Sequence, residues 1–389
     1  MPTGQLVFSQ LLDFLPRHDF NACVRRYHGH YRVRDFSCFD QFLCMAFAQL
    51  TGRESLRDIE TCLRALSPKL YHAGFRGRIS RSTLADANER RDWRIYADFA
   101  QVLIRTARRL YLNEPFGVEL DETAYVLDST MIELCLSLFP WARYRKDEGA
   151  VKLHTVMDLR GSIPCFVHVS DGKMHDVEML DLLPFEPGAF YIMDRGYISF
   201  ERLYRLSQSA AWFIIRSRDK VIHRRLSYAP VDRATGLRSD QVIRLSGVQT
   251  EDLYPAPLRR VCFFDVEKRQ RFVFLTNHFA LEALTVAQLY KCRWEVELFF
   301  KWIKQHLRIK AFFGTSDNAV KTQVWVAIST YVLVAILKKE LEIERPLSEI
   351  LQILSICLFE KVPMRQVLTA IPPEMPENGF PNPLSLFDF

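Results

Sequence analysis

Tyr290-Lys291-Cys292-Arg293-Trp294-Glu295-Val296-Glu297 continues through Phe299, Phe300, Trp302 and Ile303 to Lys304. No Pro or Gly interrupts 283–307, and the composition predicts a single helix there. At about 100° per residue, a step of seven returns to within about 20° of its starting direction. Tyr290, Glu297 and Lys304 are therefore expected in one line, with Arg293 about 60° to the side. Such a face presents a phenol, a guanidinium, a carboxylate and an ammonium in sequence. It suits a metal ion gripping a phosphodiester, provided other carboxylates join it. Glu295 points about 200° away from Glu297 and is rejected as its competitor.

Two carboxylates stand at the ends of apolar runs. Ala124-Tyr125-Val126-Leu127 leads into Asp128, and Phe190-Tyr191-Ile192-Met193 leads into Asp194, with Gly196 supplying a turn. Short apolar runs of this kind read as buried strands in a sheet covered by helices. A charge at the end of such a strand is costly to desolvate unless paired or bound to metal. A helix-capping or turn Asp is the plainer reading of either residue alone.

Together the three segments carry more. Asp128 in Leu-Asp-Ser-Thr, Asp194 in Asp-Arg-Gly-Tyr, and then Tyr290, Arg293, Glu297 and Lys304 resemble the DDE transposases of bacterial insertion sequences. Specifically, they resemble insertion-sequence family four, the cut-and-paste type. The intervals of 66 and 103 positions fit, the second being long because that family places a β-rich insertion there. The resemblance implies an α/β fold with a ribonuclease H-like mixed sheet. An all-α N-terminal domain would precede it and a helical C-terminal region follow it.

The rest of the chain is read on that plan. Residues 1–112 look helical: Gln41 to Leu50, Ser55 to Leu66, and Ser82 to Asp92, with Ser80 or Ser82 as the last cap. The basic connection carrying Arg76, Arg78 and Arg81 fits a helix-turn-helix, although a plain helical bundle gives the same pattern. Residues 113–215 and 281–345 form the expected catalytic domain, with strands at Ala124–Leu127, Val151–Met157, Cys165–Val169, Phe190–Met193 and Trp212–Ile215. Helices are expected at Asp176–Leu183 and Phe200–Ser209. Residues 216–280 form the β-rich insertion, and residues 346–389 a helical part and a proline-containing tail. Val324–Leu337 carries Ser329 and Thr330, is shorter than the ~20 residues of a membrane span, and reads as a buried helix.

Composition sets the surroundings. Residues 1–110 hold 18 Lys and Arg against 11 Asp and Glu, and 17 of those cations are Arg; the remainder holds 34 against 35. The excess is suited to DNA phosphates and base edges, or is simply a solvated basic face. The nine Cys include no C-x-x-C pair, which argues for reduced thiols and against a disulfide framework or a zinc site. No secretion signal or membrane span is expected, so the location expected is the bacterial cytoplasm, associated with the nucleoid.

The resemblance also assigns roles. Asp128, Asp194 and Glu297 would hold two Mg²⁺, or Mn²⁺ as a substitute, ~3.5–4 Å apart for in-line displacement at phosphorus. Arg293, Lys304 and Tyr290 would hold phosphates near the cleavage point. Lys152 and His154, on a strand expected beside Asp128, would contact DNA or serve in pairing and packing. Trp294 is expected in the core. The partners implied are double-stranded DNA (the terminal inverted repeats and a target) and a second copy in a homodimer on DNA. The long helix around Val324–Leu337 and the region from Leu347 are candidate dimer surfaces. A DNA-binding regulator would have no need of all three carboxylates, and a stand-alone nuclease would need no such insertion.

Overall fold

The strands explain their own apolar sequences. In the computed structural model, which describes residues 4–218, 221–306 and 312–369, both faces of the central sheet are covered. Nine strands make one sheet: β1 (Ala124–Leu134), β2 (Gly149–Asp158), β3 (Ile163–Asp171), β4 (Phe190–Met193), β5 (Trp212–Arg216), β6 (His223–Ala229), β7 (Leu237–Leu245), β8 (Leu258–Asp265) and β9 (Gln270–Thr276). Their order is β3-β2-β1-β4-β5-β9-β8-β7-β6. β1 is parallel to β4 and β4 to β5, while the other pairings are antiparallel. Val126, Ile192 and Ile214 face one core, and Leu127, Met193 and Ile215 face the other. Period-two alternation between two buried faces yields an unbroken apolar run.

The insertion strands extend this sheet, because β9 pairs with β5 through Ile215↔Leu275 and its neighbours. A buried ion pair fixes them: Arg259 and Asp240 meet at 2.7 Å, and Arg259 also donates to the Leu281 carbonyl ahead of the helix Ala283–Lys291.

The N-terminal region is helical, as expected: Cys38–Thr51 is longer than read from sequence, Leu56–Ala65 slightly shorter and Arg81–Arg90 shifted, and a further helix, Arg94–Leu110, follows. Ser37 and Asp40 form a reciprocal capping box, which sets the start of the first of these. The other oxygen of Asp40 accepts from the Arg76 and Gly77 amides and so pins the basic connection. The helix Asp317–Glu340 packs against Arg94–Leu110, Cys38–Thr51 and β3, and 94% of its apolar window is buried within the protein. That burial removes it as a candidate dimer surface. The proline-containing tail from Ile371 lies outside the described residues.

Two elements differ from expectation. The helix expected at Asp176–Leu183 is a shorter 3₁₀ helix, Asp176–Asp181. The helix expected over 283–307 is two helices, Ala283–Lys291 and Trp294–His306, separated by tight turns at Cys292 and Arg293.

Candidate active site

β4 ends at Met193, whereas β1, still paired to β2, runs on to Leu134. Asp128 is therefore within a strand and not at its end. The parallel ladder stops at Leu127↔Met193, so Asp128 and Asp194 occupy equivalent positions one residue past it. There the ladder opens, leaving both carboxylates able to meet the broken helix.

The break brings the four motif side chains to different places. Tyr290, almost buried against Phe274, donates its hydroxyl proton to Asp194 over 2.9 Å. Arg293 bridges two carboxylates, with Nη1 at 2.7 Å from Asp128 Oδ2 and Nη2 at 2.5 Å from Glu297 Oε1. Its Nε is buried and has no hydrogen-bond partner among the described residues. Lys304 is exposed further along the second helix. Glu295 faces elsewhere and accepts from the Ser162 hydroxyl at 3.1 Å. Trp294 is 51% exposed, contrary to the core position expected, because the break turns it away from the helix packing.

Burial raises the Asp128 pKa to about 6; Glu297 and Asp194 add to the effect, while the Ser129 amide and Arg293 oppose it. Burial likewise pushes the Tyr290 phenol well above its ordinary value, so it remains a donor to Asp194. Among the described residues, no three His, Cys, Asp or Glu side chains are grouped closely enough to hold a metal ion. The donor set itself fits one: three acidic side chains, hard oxygen donors, one of them buried. A guanidinium already occupies the place of a cation between two of them.

Lys152 and His154 do not join this group. Asp128 pairs with Thr155, so His154, opposite Ser129, lies on the other face of the sheet. Lys152 meets Asp176 at 2.7 Å and donates to the Met174 carbonyl. His154 has no exposed side-chain surface and contacts Ser170 at 3.0 Å. Burial and the Lys152 charge lower its pKa to about 4, so it is neutral. Strand parity turns both away from the face of Asp128, and their contacts are of the pairing kind, the second of the two roles expected for them. Asp176, which no motif marks, receives both Lys152 and the Ser129 hydroxyl. The connection between the residue after Asp128 and the 3₁₀ helix had no signal in local spacing.

Arg76, Arg78 and Arg81 are exposed on the N-terminal region. The Arg76 guanidinium donates to the Tyr71 and Phe75 carbonyls and lies over the Tyr71 ring. Tyr254 of the insertion is buried, its hydroxyl 2.9 Å from Ser207.

Comparison with known proteins gives the family of the chain. A family model described as a transposase DDE domain matches residues 119–333, and one described as a domain of unknown function matches residues 3–76. The chain is 32% identical over 283 residues to y4zB of Sinorhizobium fredii, named as a transposase, covering 72% of this chain and 77% of that protein. It is 31% identical to a protein named as the transposase of insertion sequence element IS5377 from Geobacillus stearothermophilus, covering 54% of this chain and 55% of that one. Against a Synechocystis protein named for element IS4SA the identity is 22%, over 88% and 96% of the two chains. A solved structure of piggyBac transposase in a synaptic complex with hairpin DNA aligns with a TM-score of 0.43 and 11% identity, over 94% of this chain and 80% of that one. The chain belongs to the DDE transposase family of bacterial insertion sequences, enzymes that cut DNA and join the freed end elsewhere.

Proposed function

We propose that Asp128, Asp194 and Glu297 are the catalytic carboxylates of a cut-and-paste transposase acting on the terminal inverted repeats of its own element. The observation that supports this most directly is Arg293 spanning Asp128 and Glu297 while Tyr290 holds Asp194. Three segments distant in sequence supply these carboxylates, two of them one residue past the end of the parallel ladder. The order β3-β2-β1-β4-β5, with β1, β4 and β5 parallel, supports a ribonuclease H-like reading of this part of the sheet.

Enzymes of this family use divalent metal ions, and the three carboxylates would hold Mg²⁺, with Mn²⁺ as a substitute. Bound there, the ions would supply charge stabilisation at both the attacking and the leaving oxygen. The chain's own residues supply the rest. Arg293, once drawn from the carboxylates to a phosphate, would retain a partner for its guanidinium fork. Tyr290 would keep Asp194 oriented, and Lys304 would contact the backbone. In the first step a water oxygen bonds to phosphorus and the 3′ oxygen leaves as a hydroxyl. That hydroxyl then attacks the opposite strand to form a hairpin, and after resolution attacks target DNA. The basic N-terminal region would read the repeats, and a homodimer would hold two ends together in the cytoplasm at the nucleoid.

Incubation of the protein with duplex element ends and Mg²⁺, resolved on a denaturing gel, tests the reading. A nick with a 3′-hydroxyl followed by a hairpin product is expected. Intact DNA throughout, with binding retained, would remove it.

A further inference from the structure

A cleft of about 220 Å³ opens where β5, β8 and β9 meet. Arg195, Arg216, Arg218, Arg260 and Arg271 line it together with His223, and among the described residues no carboxylate does. The register places Arg260 and Arg271 on one face of the β8–β9 ladder, flanking the Cys262↔Val273 pair. Their contacts are with uncharged groups: Arg260 with the Gln241 side-chain oxygen at 3.3 Å, and Arg271 with the Cys262 sulfur at 2.9 Å. The next residue along, Arg259, shows the contrast, since it is buried against Asp240 in a two-pronged ion pair. Burial and the nearby Arg271 both make the Arg260 cation less favourable than an ordinary arginine's.

Five guanidinium groups around one concavity repel each other, and a fold keeps such an arrangement at a cost to its stability. An anion with several oxygens reverses the sign of that term. The planar fork of arginine matches phosphate in particular. Arg195 of the cleft directly follows Asp194, and Arg216 lines both the cleft and the groove formed by Tyr290, Arg293 and Glu297, whereas Arg260 and Arg271 lie on the opposite face of the sheet from Phe272 and Phe274 of that groove. We propose that this cleft is a phosphate-binding site that holds the DNA backbone at the end of the sheet where β4 runs into Asp194. The choice of DNA as the source of the phosphate rests on the function proposed above; the affinity for phosphate does not.

The test uses the full chain, with Arg260→Gln/Arg271→Gln as the variant and Arg233→Gln, an exposed charge elsewhere in the insertion, as the control. Thermal unfolding is followed with inorganic pyrophosphate against sodium chloride of matched ionic strength. Pyrophosphate should raise the melting temperature of wild type and control, and the double variant should lose that response. Binding to a random-sequence duplex is then measured against salt. The variant's slope should fall by about two, as expected when two arginines no longer neutralise phosphates. Loss of the pyrophosphate response with an unchanged DNA slope would make this a site for a small free anion and overturn the DNA assignment. An unchanged response in both would overturn the site altogether. Should the double variant not fold, Arg271→Gln alone, at an exposed position, carries the same comparison with about half the change in slope. The pyrophosphate arm needs no cleavage, so failure of the catalytic reading leaves it readable.

Discussion

Arg293 reaches Asp128 with one nitrogen and Glu297 with the other, so one cation bridges two of the three candidate carboxylates. A divalent ion and this guanidinium compete for the same oxygens. Arg293→Gln should therefore tighten Mn²⁺ binding to the DNA-free protein, read as a larger metal-induced rise in melting temperature. Cleavage of DNA should fall at the same time, because the fork for phosphate is gone. Weaker metal binding in the variant would show that Arg293 supports the metal site and does not shield it.

Asp128→Ala, Asp194→Ala and Glu297→Ala should each reduce cleavage on the order of 10³-fold or more, since metal-ion stabilisation amounts to several kcal/mol. DNA binding, measured by gel shift, should change little. Glu295→Ala loses a hydrogen bond to Ser162 and should retain activity. An active Glu297→Ala beside an inactive Glu295→Ala would refute the register of the second helix.

The site was legible in sequence where chemistry and local pattern coincide. Asp128 and Asp194 stood out because each interrupts an apolar run, and that run is apolar because both faces of the sheet are covered. The break at Cys292 and Arg293 was not legible, since neither Pro nor Gly marks it. Lys152 and His154 were correctly placed on a shared strand face. Whether that face is the one bearing Asp128 depends on the pairing Asp128↔Thr155, which no single strand encodes. The partners of Asp176 were hidden for a similar reason, as Ser129 and Lys152 come from strands that only the folded sheet brings together.

Acid should weaken the fold through His154. An unfolded histidine takes up a proton near pH 6.5, while the buried ring resists it down to about 4. Between those values the unfolded chain binds more protons, so stability falls with falling pH, by on the order of 3 kcal/mol at the lower end. Asp128 acts in the opposite sense. Its pKa is raised to about 6, so the folded chain binds the proton first and gains stability as pH falls through 6. The readable quantity is thus the difference between wild type and His154→Gln. Denaturant unfolding from pH 7 to pH 4 should show the wild type losing its advantage over the variant. A constant difference would mean that His154 is protonated without penalty.

Asp240→Asn should cost about 3–5 kcal/mol, because it leaves the buried Arg259 cation without its counter-charge. The same arginine donates to the Leu281 carbonyl, so the damage should reach the junction with the helix that carries Tyr290. Limited proteolysis should cut within 216–280 earlier than in wild type. Removing both partners, as in Asp240→Leu/Arg259→Met, should restore much of the loss. A double variant no better than Asp240→Asn would show that the pair matters for more than its own charge balance.

Cut-and-paste transposition has to keep two element ends together, which leads to the expectation of a dimer whose subunits each cut the end held by the partner. The buried helix Asp317–Glu340 cannot supply its interface without unfolding the core. Helix Leu347–Cys357 can, as it leaves Ile356 83% exposed one turn from the partly buried Ile353. A twofold axis needs only one such self-complementary patch. Ile356→Lys should thus weaken pairing of ends while leaving single-end binding intact. Mixing decides the geometry of cutting. A Glu297→Gln subunit binds but does not cut, and an Arg78→Gln/Arg81→Gln subunit, altered at exposed positions, should cut but bind poorly. Cleavage restored only in the mixture would establish action in trans. A mixture no more active than its components, with a dimer on DNA confirmed by light scattering, would assign each active site to its own subunit's end.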